Sequence, residues 1–192
     1  MGPPHDTTDA EITALLAQAR DGRREALDAV FARLYPALRQ AAQARLARGE
    51  RTLTPTVVVH EAWLRLSRNP ALSLADRGHF MAVAARAMRA VVVDHLRAAG
   101  ADKRGGLAPT VTLGAALSEA AGDGPDLLAL DEALSALEAI DPAQRELVEL
   151  HFFAGLEFQE IAAQRGVDER TVRRHWQRAR AFLLAQLADP PG

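Results

Sequence analysis

The sequence predicts an all-α protein made of two small helical domains joined by a flexible linker, with boundaries at 8–100, 101–125 and 126–188. Three observations predict this. Hydrophobic residues make up 48% of the 192 positions and aromatic residues only 5%; much of the apolar content is alanine, the strongest helix former. Sustained alternation of Val, Ile and Thr with polar residues, the mark of a half-buried strand, is missing. Apolar residues recur instead three and four apart, in segments bounded by cap and stop signals.

The first block opens with Thr8 as the expected cap of a short helix through Glu11, Ile12, Leu15, Leu16 and Ala19, stopped by Asp21-Gly22. A longer helix is predicted from about Arg23 to Arg48, with Leu27, Val30, Phe31, Leu34, Leu38 and Ala42 as its buried stripe and Gly49 as its end. Pro36 lies inside it and predicts a kink or break, since proline removes a backbone donor and clashes with the preceding turn. Thr54-Pro55 is a cap followed by proline at the first helical position, opening a helix to about Arg68 that Asn69-Pro70 ends. After a loop, the last helix of the block runs from about His79 to Ala99. Its apolar residues (Phe80, Val83, Ala84, Ala87, Met88, Val91, Val92, Leu96) face most directions, so it belongs at the bundle centre, and Arg86, Arg89 and Arg97 give it a face suited to phosphate.

Residues 100–125 are rich in Gly, Ala and Pro without periodicity, as a linker is. Leu127, Leu130, Leu134 and Leu137 then share one helix. Asp141-Pro142-Ala143-Gln144 follows as a capping-box start, leading through Leu147, Val148 and Leu150 to Phe153 and a stop at Gly155. The strongest signal comes last. A short helical run over Glu157–Arg165 is broken by Gly166-Val167, and Asp168 caps a second helix. In that second helix Val172, Trp176, Ala179 and Leu183 form one buried stripe, while Arg170, Arg173, Arg174 and Gln177 lie opposite. A helix anchored on one side and carrying guanidinium groups on the other suits the major groove of DNA.

Charge agrees once it is mapped by segment. The net charge is −2, but residues 1–100 hold 14 Lys/Arg against 10 Asp/Glu, residues 117–160 hold 11 acids against the single base Arg145, and residues 165–180 hold six arginines against two acids. The acidic stretch lowers intrinsic DNA affinity, so such a chain is expected to bind DNA usefully with a partner's help. The absence of cysteine excludes disulfides and thiolate metal sites and fits a reducing cytoplasm. No apolar run approaches a membrane span, and the polar start MGPPHDTTDAE does not read as a signal peptide.

On these residues the chain resembles, over nearly its whole length, the bacterial sigma-70-like factors of the extracytoplasmic-function (ECF) group. The more specific match is C-terminal: Leu156, Glu160-Ile161-Ala162, Gly166-Val167, Thr171-Val172 and Arg178-Ala179-Arg180. In the first domain the matching stretches are His60-Glu61-Ala62-Trp63-Leu64-Arg65-Leu66, Phe80 through Arg97 and Lys103-Arg104-Gly105-Gly106. The resemblance implies a sigma-2-like bundle followed by a sigma-4-like helix-turn-helix unit, acting as a transcription initiation subunit in the cytoplasm. Its implied partners are core RNA polymerase and promoter DNA, with an anti-sigma factor as a further partner and no cofactor or metal. The first domain would hold the polymerase clamp around His60, Glu61, Trp63 and Arg65, and meet the −10 element through His79, Arg86, Arg89, Ala90 and the 73–79 loop. The last helix would read the −35 element: Arg173 and Arg174 at base edges, flanked by Arg170, Thr171 and Gln177, with Arg165, Arg178 and Arg180 on phosphates. The chain departs from the wider family in carrying Leu53-Thr54-Pro55-Thr56 where an acidic lead-in is common, and Ala90 where many relatives carry Asn.

Two other readings fit parts of the pattern: a stand-alone helix-turn-helix regulator with a helical sensor or dimerisation block, and a helical adaptor that binds only protein. Enzymatic constellations fail on spacing. His60-Glu61 lacks a second histidine at Leu64, Asp94 and His95 are adjacent and diverge on a helix, and Gly105-Gly106 lacks the spacing of a phosphate loop.

Overall fold

A computed structural model describes residues 4–45, 53–69, 72–102 and 127–188, and every regular element among them is helical. The first helix, α1 (Pro4–Arg20), begins a turn before the expected Thr8 cap, so Thr8 lies inside it; proline is well placed in a first turn, where its missing N–H has no partner to lose. Gly22, at φ +91°, ends it as expected. The Gly22 N–H donates to Ala19 O and the Arg23 N–H to Gln18 O, both at 3.1 Å, which satisfies the last carbonyls.

Helix α2 (Arg24–Arg45) is not broken at Pro36, contrary to one of the two expected outcomes. Pro36 and Ala32, whose carbonyl loses its donor, both lie on the exposed side, while Val30, Leu34, Leu38 and Ala42 are buried along the other. Gly49 lies outside the described residues. Helix α3 (Pro55–Ser67) starts where the Thr54-Pro55 pair places it: Thr54 Oγ1 accepts from the Val57 N–H at 3.3 Å.

Helix α4 (Arg77–Asp102) is longer than the expected His79–Ala99. Its true cap is Asp76, whose Oδ1 accepts from the His79 N–H at 2.8 Å. Phe80, Met81, Ala84, Ala85, Met88, Val91, Val92, Val93 and Leu96 are all buried on it, and it packs against α1, α3 and the C-terminal helices. Ala101 and Asp102 continue α4; the rest of the expected linker, with Lys103-Arg104-Gly105-Gly106, lies outside the described residues.

Helix α5 (Leu127–Ile140) buries Leu130, Ala133, Leu134 and Leu137. Helix α6 (Pro142–Val148) follows its cap, Asp141, whose Oδ1 accepts from the Gln144 N–H at 3.0 Å while Gln144 Nε2 donates back to Oδ2 at 2.6 Å. The helix then widens into one π turn (Glu149–Phe153), with the Ala154 N–H donating to Glu149 O five residues back at 3.0 Å. Helices α7 (Phe158–Arg165) and α8 (Glu169–Ala188) complete the chain. One continuous set of buried side chains runs from Ile12 to Leu183. Its two halves join where α4 packs on α5 and the π turn.

Candidate nucleic-acid interface

The α7–α8 pair is fixed by local hydrogen bonds at every corner. Glu160 Oε2 accepts from the Glu157 N–H at 2.8 Å, closing a capping box at the start of α7. Gly166 takes φ +63°, a left-handed conformation that costs a side-chain-bearing residue. The Val167 N–H then donates to Ala162 O at 3.1 Å. Asp168 Oδ1 accepts from the Thr171 N–H at 2.8 Å and Oδ2 from Thr171 Oγ1 at 2.9 Å. These bonds, the backbone one first, hold the Asp168 carboxyl below its ordinary value of 3.8.

Helix α8 is anchored through Val172, Trp176, Ala179 and Leu183, all buried. Trp176 meets His151 edge-on at 4.7 Å, and His151 stacks on Phe158 at 4.2 Å. On the outer face Arg170, Arg173, Arg174, Gln177 and Arg178 are exposed, while Thr171 and Arg180 are half-buried. Arg173 is also held in place: its Nε donates to Glu169 Oε1 at 2.7 Å, and its guanidinium sits 4.9 Å from the centre of the Phe158 ring. Arg165 points elsewhere, donating to Ala143 O at 3.0 Å beside Glu146. It ties α7 to α6.

On α3, His60, Glu61, Leu64 and Arg65 are exposed. Trp63 is half-buried and stacked on Phe31 at 4.4 Å and 13°, so the exposed strip stands on a stiff aromatic base. Arg65 Nη1 donates to Asp94 Oδ2 at 2.8 Å, which accounts for Asp94 structurally. His79 is exposed, and its Nδ1 accepts from the Ala75 N–H at 3.2 Å, closing the loop ahead of α4.

Two of the α4 residues expected to face DNA are engaged by carboxylates of the C-terminal helices. Arg89 is only 8% exposed; it pairs with Asp131, and its Nε lies 3.4 Å from Glu149 Oε1. Arg86 Nε donates to Glu149 Oε2 at 3.4 Å, and the nearby Ala90 is half-buried. Glu149 is fully buried and also lies 2.9 Å from Arg145 Nη2, while Arg145 pairs with Glu138. Burial raises the Glu149 carboxyl above its ordinary 4.5, against the pull of Arg145, Arg86 and Arg89. Arg89 Nε, Arg145 Nε and Glu149 Oε1 are buried without a well-angled hydrogen bond, although Glu149 Oε1 lies 2.9 Å from Arg145 Nη2 and 3.4 Å from Arg89 Nε.

Sequence reasoning misses this cluster. Glu149 sits in the otherwise apolar run Leu147-Val148-Glu149-Leu150, with Arg145 four residues back, and a carboxylate in that buried register is the available signal. Among the described residues no group of His, Cys, Asp or Glu is placed to hold a metal, and no helix is long and apolar enough to cross a membrane. No curated protein and no solved structure matches the chain. A family model described as ECF sigma factor matches residues 9–189.

Proposed function

This chain belongs to the ECF sigma factor family, and from that membership we propose that its first four helices hold core RNA polymerase and the −10 element while α8 reads the −35 element. The family's role is in transcription initiation. The observation that supports the finer reading is the segregated α8 helix. Its buried stripe is fixed by Trp176, its start is fixed by Asp168, and five polar side chains project from the opposite face.

Arg173 and Arg174 then serve as donors to base edges, since a guanidinium matches the paired acceptors of guanine in the major groove. Arg170, Thr171 and Gln177 flank them, and Arg178 and Arg180 neutralise phosphates. Arg165 contributes through the position of α7 rather than by direct contact, because its guanidinium is engaged with α6. The exposed strip His60, Glu61, Leu64 and Arg65, backed by Trp63, is the surface offered to polymerase. His79, Arg86 and Ala90 form the side of α4 offered to the −10 strand, and Arg89, buried against Asp131 and Glu149, braces that side from beneath. Two modules held together by polymerase turn weak separate contacts into specific binding by raising effective concentration. Such a subunit works in the cytoplasm, with an anti-sigma factor as a natural antagonist.

Run-off transcription with core polymerase and a promoter library tests the reading. The chain should direct initiation from a subset of promoters, and Arg173→Ala with Arg174→Ala should abolish it. Specific, tight promoter binding by the chain alone, unimproved by polymerase, would support a stand-alone regulator instead. Indifference to both substitutions would leave a protein-binding adaptor.

A further inference from the structure

We propose that Glu169 is a specificity-determining residue of α8, accepting a hydrogen bond from the amino group of a cytosine close to the guanine that Arg173 reads. The inference rests on the −35 role given above to α8. In a helix-turn-helix unit the first turns of the second helix meet base edges in the major groove. Glu169 opens α8 and stands one turn ahead of Arg173 on the same face. Its side chain keeps 41% of its surface open to solvent, and that of Arg173 keeps 61%. Four residues of helix span about 6 Å and stacked base pairs repeat every 3.4 Å or so, so the two side chains reach bases within about two pairs of one another.

The contacts within the pair divide its remaining capacity between two bases. Arg173 donates its Nε–H to Glu169 Oε1 at 2.7 Å, and its Nη2 lies beside the same oxygen. One edge of the guanidinium is thereby used, and its other Nη hydrogens are left for the two acceptors of guanine. The Phe158 ring, 4.9 Å from the guanidinium, holds that orientation. Glu169 Oε2 accepts no hydrogen bond among the described residues. An acid at a helix start and an arginine four residues on are ordinary partners, but neither role uses Oε2. A carboxylate accepts and does not donate. Cytosine presents its N4 amino donor in the major groove with no acceptor beside it, whereas adenine sets the acceptor N7 next to N6. Glutamate therefore suits cytosine, and the charge of Arg173 carries it past phosphates that would repel it alone.

A promoter library randomised over the −35 region, transcribed by core polymerase with the full-length chain, tests this. The wild type should favour cytosine over adenine about tenfold at one position near a favoured guanine. Glu169→Gln should transfer that preference to adenine, because an amide both accepts and donates and so matches N6 and N7. It should keep the guanine preference. Glu169→Ala should leave the cytosine position indifferent, and Arg173→Ala should lose the guanine preference instead. A second readout removes the donor from the DNA. Replacing the cytosine by pyrimidin-2-one, which lacks the amino group, should cost the wild type about tenfold in transcription and Glu169→Ala nothing. If Glu169 only braces Arg173 or the helix start, both Glu169 variants would weaken the guanine preference, or all promoters alike, and leave cytosine preferences unchanged. That result, or a wild type without a cytosine preference, overturns the inference while the −35 role of α8 stands. Failure of the wild-type chain to direct transcription from any promoter overturns the sigma reading, and the role of Glu169 with it.

Discussion

Arg173 and Arg178 lie five residues apart on α8, and the function proposed above gives them different tasks. Arg173 is braced by Glu169 at 2.7 Å and by the Phe158 ring beneath it, so its fork is held before DNA arrives and less rotamer freedom is lost on binding. Arg178 is exposed, and the proposed reading places it on phosphate. Arg173→Ala is therefore expected to lose about 1–3 kcal/mol of discrimination between cognate and altered −35 sequences. Arg178→Ala should weaken all duplexes alike and reduce the salt slope by about 0.9. Anisotropy titrations of the polymerase-bound chain at several salt concentrations separate the two outcomes. If both substitutions produced the same loss on every sequence, α8 would be a phosphate clamp and not a reader.

Elements whose ends are set by near neighbours are legible in the amino-acid sequence alone. The Thr54 cap, the Asp141 cap, the left-handed Gly166 and the Asp168 cap each depend on groups within five residues, and each closes as its residues dictate. Replacing Thr54 with Ala should accordingly cost about 1 kcal/mol of stability, read by denaturant unfolding monitored by circular dichroism. Where two local signals compete, the sequence does not say which wins: Pro4 starts α1 ahead of Thr8, and Asp76 starts α4 ahead of His79. Pro36 looks like a breaker because nothing local reveals that the orphaned carbonyl faces solvent. The π turn is hidden for a different reason. Its i+5 bonds accommodate packing against α4 and α2, and no periodicity within Glu149–Phe153 announces them. The α8 arginine face is legible because helical spacing alone separates it from the buried stripe. The Arg86–Glu149 and Arg89–Asp131 pairs are not, because their partners lie 63 and 42 residues apart in sequence.

At the scale of the whole molecule, Asp141 and Asp168 respond to acid in the opposite sense to Glu149. Asp141 and Asp168 lie below their ordinary 3.8, chiefly because each accepts a backbone N–H at a helix start. The stability they add is present above that value and is lost as pH falls through their lowered pKa values. Glu149 lies above 4.5 because it is buried at the seam, where Arg86 and Arg89 of α4, Arg145 of α6 and the nearby Asp131 and Glu138 surround it. Its folded form holds a proton more tightly than its unfolded form. Its contribution is therefore fully present below 4.5 and is lost as pH rises through the raised value. Glu149→Gln fixes the neutral shape and removes this decline. The thermal midpoint of the wild-type chain should therefore fall relative to that of the Glu149→Gln variant as pH rises from about 4 toward neutrality, with the two closest at the acid end. A gap that narrows with rising pH would mean that the three arginines, not burial, govern the ionisation of Glu149. The seam would then be held by charge at every pH at which the protein folds.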